Sequence, residues 1–311
     1  MNSTAVLATP QTEELTRIAT ALHAVERAMD AVVNSDVEIL RDASRHILAA
    51  GGKRIRPHLL MLTYLACGGT DVDHAAAPGA AVELMHTASV VHDDINDHGI
   101  LRRGRPSVNA IWGRTFALLT GDFLFTSVYS LLAPYNELNV TLAAAARALV
   151  EGETLQAEAV KNNNFTREIY MRIIGLKTAA LFQASTEMGV VLAGGSEAQH
   201  QALGKFGYNI GLAFQIVDDV LDIVGDEEKL GKTAGIDVEQ GRGFASIQDE
   251  PTADPMDSIK RKMLSGSYLQ EAQGQAEMLV EMAVQSLSVL PDSVYKQELV
   301  ELARLVIHRD H

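Results

Sequence analysis

Apolar residues recur every three or four positions along almost the whole chain, which is the spacing of residues that face one side of an α-helix. Alternating apolar and polar residues, the pattern of half-exposed strands, are hard to find. Only 8 of the 311 residues are Pro and 5% are aromatic, whereas Ala and Leu are abundant, and this favours helix over strand. The spacing predicts helices over 12–33, 36–50, 54–67, 74–98, 107–132, 138–162, 166–193, 197–224, 266–290 and 295–309.

These helices are predicted to form one domain. Hydrophobic residues make up 47% of the chain, which is enough for a large buried core. No repeat of fixed period is present and nothing marks a domain boundary, so we expect a single all-α domain over 1–311. The segment 225–258 departs from the helical pattern because it is rich in Gly and charge. A long irregular stretch in a compact domain is usually functional or disordered.

Charge and cysteine content argue against several classes of protein. The formal net charge of −14 disfavours a protein that binds nucleic acid through a basic surface. Cys67 is the single cysteine, so neither a disulfide framework nor a Cys-based zinc site is expected. The first residues lack the basic and apolar regions of a secretory signal. The chain has no run of about 18 uninterrupted apolar residues, so no transmembrane segment is predicted. We expect a cytoplasmic protein.

Two DDxxD sequences end predicted apolar helices, in "HDDINDHGILRRGR" (92–105) and "QIVDDVLDIVGD" (215–226). The first and last Asp of each are four residues apart, so they share one face of a helix. Carboxylates about 5 Å apart repel by roughly 3 kcal/mol per pair at an effective dielectric constant near 20, so the clusters imply a compensating cation. Oxygen ligands without Cys or paired His point to a hard ion such as Mg²⁺, which bridges carboxylates to phosphate oxygens. The six acids are Asp93, Asp94, Asp97, Asp218, Asp219 and Asp222.

Three other interpretations of these segments are weaker. Solvated helix ends could explain one DDxxD, but two copies at the ends of apolar helices argue against chance. A calcium loop of the EF-hand type that starts at Asp94 would need Glu at its twelfth position, where Arg105 stands. A phosphate-binding P-loop in "GDEEKLGKT" (225–233) would need four residues between its glycines, and five are present.

Cations, which phosphate binding requires, occur in short clusters. "GGKRIRP" (51–57) places Lys53 and Arg56 three residues apart on one face, with Arg54 turned away. Lys177 lies in the apolar "GLKTAAL", where an unpaired lysine would be costly, although a lone lysine is usually a surface group. The candidate phosphate-binding residues are Lys53, Arg56, His86, Arg102, Arg103, Lys177 and Lys232.

The chain resembles the trans-isoprenyl (polyprenyl) diphosphate synthases, most closely their medium- and long-chain members. The resemblance runs from about residue 36 to the final "LARLVIHRDH" and is carried, in this order, by "GGKRIRP", "HTASVVHDDINDHGILRRGRPSVN", "GDFL", "GLKTAAL", "FQIVDDVLDIVGD" and "LGKTAGID". It implies an isoprenoid synthase-type helical bundle around a central cavity, usually in a homodimer. It also implies a prenyltransferase that condenses isopentenyl diphosphate with an allylic diphosphate, head to tail and in trans, with three Mg²⁺ ions.

The resemblance assigns roles to the residues above. The six aspartates would hold the metal ions. Arg102, Lys177 and Lys232 match residues that bind the allylic diphosphate, and Lys53, Arg56, His86 and Arg103 match the isopentenyl diphosphate site. Gln215 matches a polar residue near the reacting carbons, and Thr178 beside Lys177 is a further substrate-binding candidate. The candidate catalytic residues are Asp93, Asp97, Arg102, Lys177, Gln215, Asp218 and Lys232.

The chain departs from this family after the second acidic motif. Where members usually continue with "GKxTLP" and an apolar helix, this chain reads "GIDVEQGRGFASIQDEPTADPMDS" (235–258), with Arg242 in place of the usual Lys. We predict a mobile or disordered segment near 240–256. The departure affects the expected closure of the site and leaves the metal ligands in place.

The residues before the first acidic motif predict the length of the product. In this family the residues four and five positions before the first Asp form a floor beneath the growing prenyl chain. Here they are Ser89 and Ala88, which are small and lie about 6–7.5 Å along the helix. Small residues, together with Asn109, predict a product of C25 or longer, with the C20 geranylgeranyl diphosphate as the alternative. Met85 is a further candidate for the depth of the pocket.

Three alternative functions make different predictions. A terpene cyclase has no use for an isopentenyl diphosphate site and normally carries a different second metal motif. A non-catalytic partner subunit of a hetero-oligomeric synthase tends to lose aspartates, whereas both motifs are intact here. A helical structural protein would point both motifs to solvent and bind no metal.

Overall fold

The computed structural model describes residues 10–224, 242–247 and 267–308. Within these residues the α-helices are α1 (Pro10–Val32), α2 (Glu38–Ala49), α3 (Ile55–Ala66), α4 (Val72–Asn96), α5 (Val108–Trp112), α6 (Arg114–Leu132), α7 (Asn136–Lys161), α8 (Arg167–Ile174), α9 (Ala180–Leu192), α10 (Glu197–Val224), α11 (Ser267–Ser286) and α12 (Val294–Ile307). A π-helix, Gly175–Ala179, joins α8 to α9, and short 3₁₀ helices span Phe244–Ser246 and Leu287–Val289. Strands β1 (Leu101–Arg102) and β2 (Arg105–Pro106) form a small antiparallel hairpin.

The all-α prediction is confirmed, and most helix bounds lie within a few residues of those expected. The single helix predicted over 107–132 is wrong, because Gly113, with φ of +81°, separates α5 from α6. Ser107 caps α5 with a hydrogen bond from the backbone nitrogen of Ala110, which starts that helix as a separate element. The hairpin was not predicted, since each of its strands is only two residues long.

Helices α4 and α10 carry the two acidic motifs, and each packs against several other helices. Helix α4 packs against α1, α3 and α6, and Ala80, Leu84 and Val91 are fully buried along its length. Helix α10 packs against α9 and α11. Both helices carry their acidic motifs at the C-terminal end, where the apolar packing gives way to a polar cavity.

Helix α6 is unusually apolar for a helix that is only partly buried. By length and composition it could cross a membrane, with a mean hydropathy of 1.4 over 18 residues, of which 39% are buried. The core helices of soluble proteins meet the same criterion, so this is weak evidence for a membrane span. Its exposed side chains include Phe116, Leu118 and Leu119.

Candidate active site

A cavity of about 240 Å³ lies between the C-terminal ends of α4 and α10. The predicted site residues that line it are Arg56, His86, Ser89, Asp93, Asp94, Asp97, Arg102, Lys177, Thr178, Gln215, Asp218, Asp219 and Asp222. Among the described residues, Lys53, Met85, Ala88 and Arg103 are not part of the cavity lining, and Lys232 lies outside the described residues. The two acidic motifs, which are far apart in the sequence, therefore meet in one place.

The first acidic motif is held by the hairpin that follows it. Asp93 and Asp94 lie in the last turn of α4, and the backbone nitrogen of Asp97 donates to the carbonyl of Asp93 at 2.8 Å. Arg102 on β1 donates two hydrogen bonds to Oδ1 of the buried Asp94, from Nε at 2.9 Å and from Nη2 at 2.6 Å. Burial raises the pKa of Asp94, although Arg102 opposes the shift. Within the described residues, the buried Oδ2 of Asp94 has no hydrogen-bond partner, so this carboxylate can accept a further ligand.

Lys177 enters the cavity from the π-helix. Its ammonium lies 2.6 Å from Oε1 of Glu153 on α7. A methyl group at Gly152 would lie 2.7 Å from the backbone nitrogen of Lys177, so only glycine lets α7 approach the π-helix this closely. Burial lowers the pKa of Lys177, but Asp93 and Glu153 outweigh it and the net pKa is raised. The lysine therefore stays charged despite its burial.

In the second motif, Asp219 is fixed by three donors. It accepts hydrogen bonds from the hydroxyl of Tyr170 at 2.7 Å and the backbone nitrogen of Phe244 at 3.0 Å, both at Oδ2. Nε2 of Gln215 donates to its Oδ1 at 2.7 Å, and the same Gln215 accepts from the hydroxyl of Thr178 at 2.7 Å. Asp219 thus joins α8, α10 and the segment 242–247. The neighbouring Asp218 lies in the cavity wall, half-buried.

Residues 242–247 lie against both motifs. Nη2 of Arg242 is 2.9 Å from Oδ1 of Asp97, and the buried ring of Phe244 packs edge-on against Tyr170 at 5.6 Å. Arg242 therefore connects the first motif to the segment that Asp219 anchors. The predicted mobile segment, 240–256, lies otherwise outside the described residues, and its mobility stays a prediction.

The residues matched to isopentenyl diphosphate lie toward α3 and the middle of α4. Arg56 is buried, with its guanidinium 4.6 Å from the ring centre of Phe182, and burial lowers its pKa to about 10. Burial and the nearby arginines lower the pKa of His86 well below its ordinary value, so His86 is a neutral imidazole. Arg103 contacts the backbone of Gly52 with its guanidinium. As the sequence indicates, Arg54 turns away from the cavity, toward Glu26 and Glu83.

The chain-length candidates differ in their positions. Ser89 lines the cavity and donates its hydroxyl to the carbonyl of His86 at 2.8 Å. Ala88 is fully buried in helix packing, and Met85 is buried close by on α4. Leu149 on α7 lines the cavity with Ser89. Ser89 is thus the candidate with direct access to the space that a prenyl chain would fill.

The acids do not form a closed metal cage. No group of three or more His, Cys, Asp or Glu side chains in the described part of the chain converges to enclose a metal ion. The donor set nevertheless fits a hard divalent cation, because Mg²⁺ keeps several waters and is usually bound by one or two carboxylates together with substrate phosphates. The buried Oδ2 of Asp94 and the cavity-facing Asp93 are available for such an arrangement.

Several residues of the site were missed from the sequence. Glu153, Tyr170 and Phe244 each contact a predicted site residue, and Glu83 binds Arg54. Glu83 could have been found, because it is the one charged residue within "AAAPGAAVELMH" (75–86), and a lone acid in a buried helix needs a partner. Tyr170 and Phe244 gave no such signal, since their partner Asp219 lies in other segments of the chain.

Known proteins resemble this chain over nearly its whole length. The polyprenyl synthetase family model matches residues 37–282. An all-trans-nonaprenyl-diphosphate synthase (geranyl-diphosphate specific) of Rhodobacter capsulatus is 35% identical, over 95% of this chain and 97% of the relative. A short chain isoprenyl diphosphate synthase of Methanothermobacter thermautotrophicus is 36% identical, over 92% and 95% of the two chains.

A solved structure agrees with these relatives. The crystal structure of a polyprenyl synthase from Caulobacter crescentus, complexed with calcium and isoprenyl diphosphate, superposes with a TM-score of 0.88. It is 33% identical and covers 96% of this chain and 98% of the other. The match therefore extends through the helices that carry both acidic motifs. The chain belongs to the polyprenyl synthetase family and is a prenyltransferase, a trans-polyprenyl diphosphate synthase.

Proposed function

We propose that this enzyme condenses isopentenyl diphosphate with an allylic diphosphate, head to tail, in a Mg²⁺-dependent reaction that gives a polyprenyl diphosphate of C25 or longer. The observation that carries the proposal is the single cavity, which both acidic motifs line together with Arg56, His86, Arg102 and Lys177. Acids for metal ions and cations for two diphosphates are the two requirements of the reaction. The related structure with calcium and isoprenyl diphosphate supports the same ligand classes.

The allylic diphosphate is proposed to bind at the acidic end of the cavity. Three metal ions would be held by Asp93, Asp97, Asp218 and Asp222, with Asp94 and Asp219 supporting them. When bound, Mg²⁺ supplies electrostatic stabilisation of the charge that develops on the departing diphosphate. Lys177 and Arg102 would donate to the same diphosphate, and Lys232 is proposed to join them.

Isopentenyl diphosphate is proposed to bind through Lys53, Arg56, His86 and Arg103. The allylic C–O bond breaks, and both electrons leave with the diphosphate. The double bond of isopentenyl diphosphate then supplies the electron pair of the new C–C bond, and the proton that is lost passes to the released diphosphate. Apolar side chains such as Ile174, Leu181 and Phe214 line the cavity and would keep water from the carbocation. Gln215 and Thr178, hydrogen-bonded to each other, would face the reacting carbons.

Small residues at the floor support a product of C25 or longer. The nonaprenyl name of one relative agrees with a long product, whereas the short-chain name of another keeps C20 as the second candidate. Ser89→Phe should shorten the product, because Ser89 lines the cavity. Ala88→Phe should instead lower the melting temperature, because Ala88 is fully buried in helix packing. Chromatography of the products of both variants measures chain length, and thermal unfolding measures their melting temperatures. An unchanged product from Ser89→Phe would remove this residue from the floor.

The function is tested with purified protein, Mg²⁺ and labelled isopentenyl diphosphate. We expect label to enter longer prenyl diphosphates with at least one of the allylic primers of 5, 10, 15 or 20 carbons. Label that stays out of the products with every primer would contradict the proposal and favour a non-catalytic partner subunit. Addition of a chelator should abolish incorporation, and restored Mg²⁺ should recover it.

The enzyme is further proposed to be a cytoplasmic homodimer. The exposed apolar side chains of α6, including Phe116 and Leu119, support a protein partner on this helix, since a face of this kind is costly to leave in water. In a symmetric dimer, the α6 face of each copy would cover the α6 face of the other.

A further inference from the structure

Arg54 is tied into the protein by its whole guanidinium group. It donates to Oε1 of Glu26 at 2.7 Å, to Oε1 of Glu83 at 2.8 Å and to the carbonyl of Leu48 at 3.2 Å. Its backbone lies in the left-handed region, with φ of +48° and ψ of +36°, which a residue with a side chain adopts infrequently. The side-chain contacts therefore hold a strained residue at the start of α3, between Lys53 and Arg56.

Glu83 is the buried partner in this network. Its side chain is 2% exposed, and it lies on α4, three residues before His86 and on the same face. Burial lowers the pKa of Arg56 and Arg103, and the negative charge of Glu83 opposes both shifts. The same carboxylate therefore anchors Arg54 and offsets the mutual repulsion of the arginines around it.

Glu26 offers a natural comparison. It binds the same Arg54 at nearly the same distance, but its side chain is 46% exposed. Water and salt screen a charge in such a position, so its removal costs little. Removing the charge of Glu83 leaves arginines in a poorly solvated region without their nearby negative charge.

The loop before Arg54 also positions Arg103. A Cβ atom at Gly52 would lie 2.7 Å from Nη1 of Arg103, so the guanidinium packs directly on the loop backbone. A shift of the loop would move this contact together with Lys53. The loop thus links cations from two separate motifs of the sequence.

We propose that Glu83 and Arg54 are positioning residues for isopentenyl diphosphate, which fix the loop at 51–54 so that Lys53, Arg56 and Arg103 can bind one diphosphate together. This inference rests on the function proposed above, in which those three residues bind that substrate. Neither Glu83 nor Arg54 touches the substrate in this role. Both act through the residues that do.

Steady-state kinetics of Glu83→Gln and of the matched control Glu26→Gln test the inference. Both changes keep the side-chain volume and remove one charge that faces Arg54. For Glu83→Gln we expect KM for isopentenyl diphosphate to rise by at least about tenfold, since a buried charged hydrogen bond is weakened, while KM for the allylic diphosphate changes by less than about twofold. For Glu26→Gln we expect both values to change by less than about twofold.

The outcomes separate the inference from the proposed function. A wild-type enzyme that incorporates no label refutes the function, and the inference falls with it. An active wild type with equal KM values for isopentenyl diphosphate in both variants overturns the inference alone, as does an equal rise of KM for both substrates. If Glu83→Gln does not fold, Arg54→Lys decides, because it keeps a cation beside Glu83 and loses the forked contacts. An unchanged KM for isopentenyl diphosphate in Arg54→Lys would overturn the inference.

Discussion

The carboxyl group of Asp93 titrates in an unusual range because it is buried beside other acids. Burial, Glu153 and Asp97 raise its pKa to about 6, while Lys177 and Arg102 act in the opposite direction. A carboxyl with this pKa is partly protonated in weakly acidic solution, where an exposed aspartate is fully charged. The metal-free site is therefore sensitive to pH in a way that can be measured.

We expect the free energy of unfolding of the metal-free protein to fall as pH rises from about 4 to about 6. The pKa of Asp93 is about 6 in the folded chain and has an ordinary value of 3.8, so the folded state binds more protons in this window and loses that advantage as pH rises. The loss from this group is up to about 3 kcal/mol. Urea unfolding of wild type and Asp93→Asn, with a chelator present, measures it. Parallel pH curves for the two proteins would contradict this expectation.

Individual acids were predictable from the sequence only where their spacing revealed them. The i and i+4 positions of Asp93 and Asp97 predicted a shared face, and both line the cavity. The three hydrogen bonds of Asp219 were not predictable, because Tyr170 and Phe244 belong to segments without a common pattern. Local periodicity fixes the face of a helix, but tertiary packing decides which group that face meets.

At the scale of elements, the π-helix Gly175–Ala179 determines where Lys177 points. A π-helix adds one residue to a helical turn, which rotates the residues that follow relative to a regular α-helix. The sequence predicted one helix over 166–193, and the apolar pattern gave no sign of the insertion. Lys177 thereby lies 2.6 Å from Oε1 of Glu153, where α7 comes close to the π-helix at Gly152.

Glu153→Gln should lower kcat by about tenfold or more. Glu153 raises the pKa of the buried Lys177 and lies 2.6 Å from its ammonium, so without it that pKa falls and the ammonium loses a partner that fixes its position. Glu151→Gln is the matched control, since Glu151 lies on the same helix and, within the described part of the chain, pairs only with the exposed Arg147, at 3.5 Å. We expect kcat of Glu151→Gln to stay within about twofold of wild type. Similar kcat values for the two variants would exclude a role for the Glu153–Lys177 pair.

The bounds of the helices followed from the sequence, whereas their interruptions did not. Apolar spacing reports which residues share a face, and it continues through the break at Gly113 between α5 and α6. The hairpin Leu101–Pro106 depends on Arg102 reaching back to Asp94, a contact between residues that no periodic pattern connects. Contacts that position the site residues, such as that of Arg102 with Asp94, therefore come from irregular segments that the apolar pattern does not reveal.

For the molecule as a whole, the exposed apolar side chains of α6 predict the oligomeric state in solution. Leu119→Glu should weaken the proposed dimer by about a hundredfold in Kd, because a charge would be buried in an apolar contact without a partner. The control is Leu305→Glu on α12, whose native side chain is 63% exposed. Light scattering after gel filtration at several concentrations measures the mass. A Leu119→Glu protein that stays as dimeric as the control would place the contact elsewhere.

One helix sets the distance between the two proposed substrates. His86, Ser89 and Asp93 all lie on the cavity side of α4, and Glu83 precedes His86 by less than one turn. At 1.5 Å per residue, Glu83 and Asp93 are about 15 Å apart along a single rigid rod. Movements of the surrounding loops can tilt α4 and change the affinities for both substrates together, but they leave the spacing between the substrates along the helix unchanged. An insertion of one residue between 83 and 93 would rotate the residues on one side of it by about 100° relative to those on the other, so the two groups of residues would no longer face the same cavity.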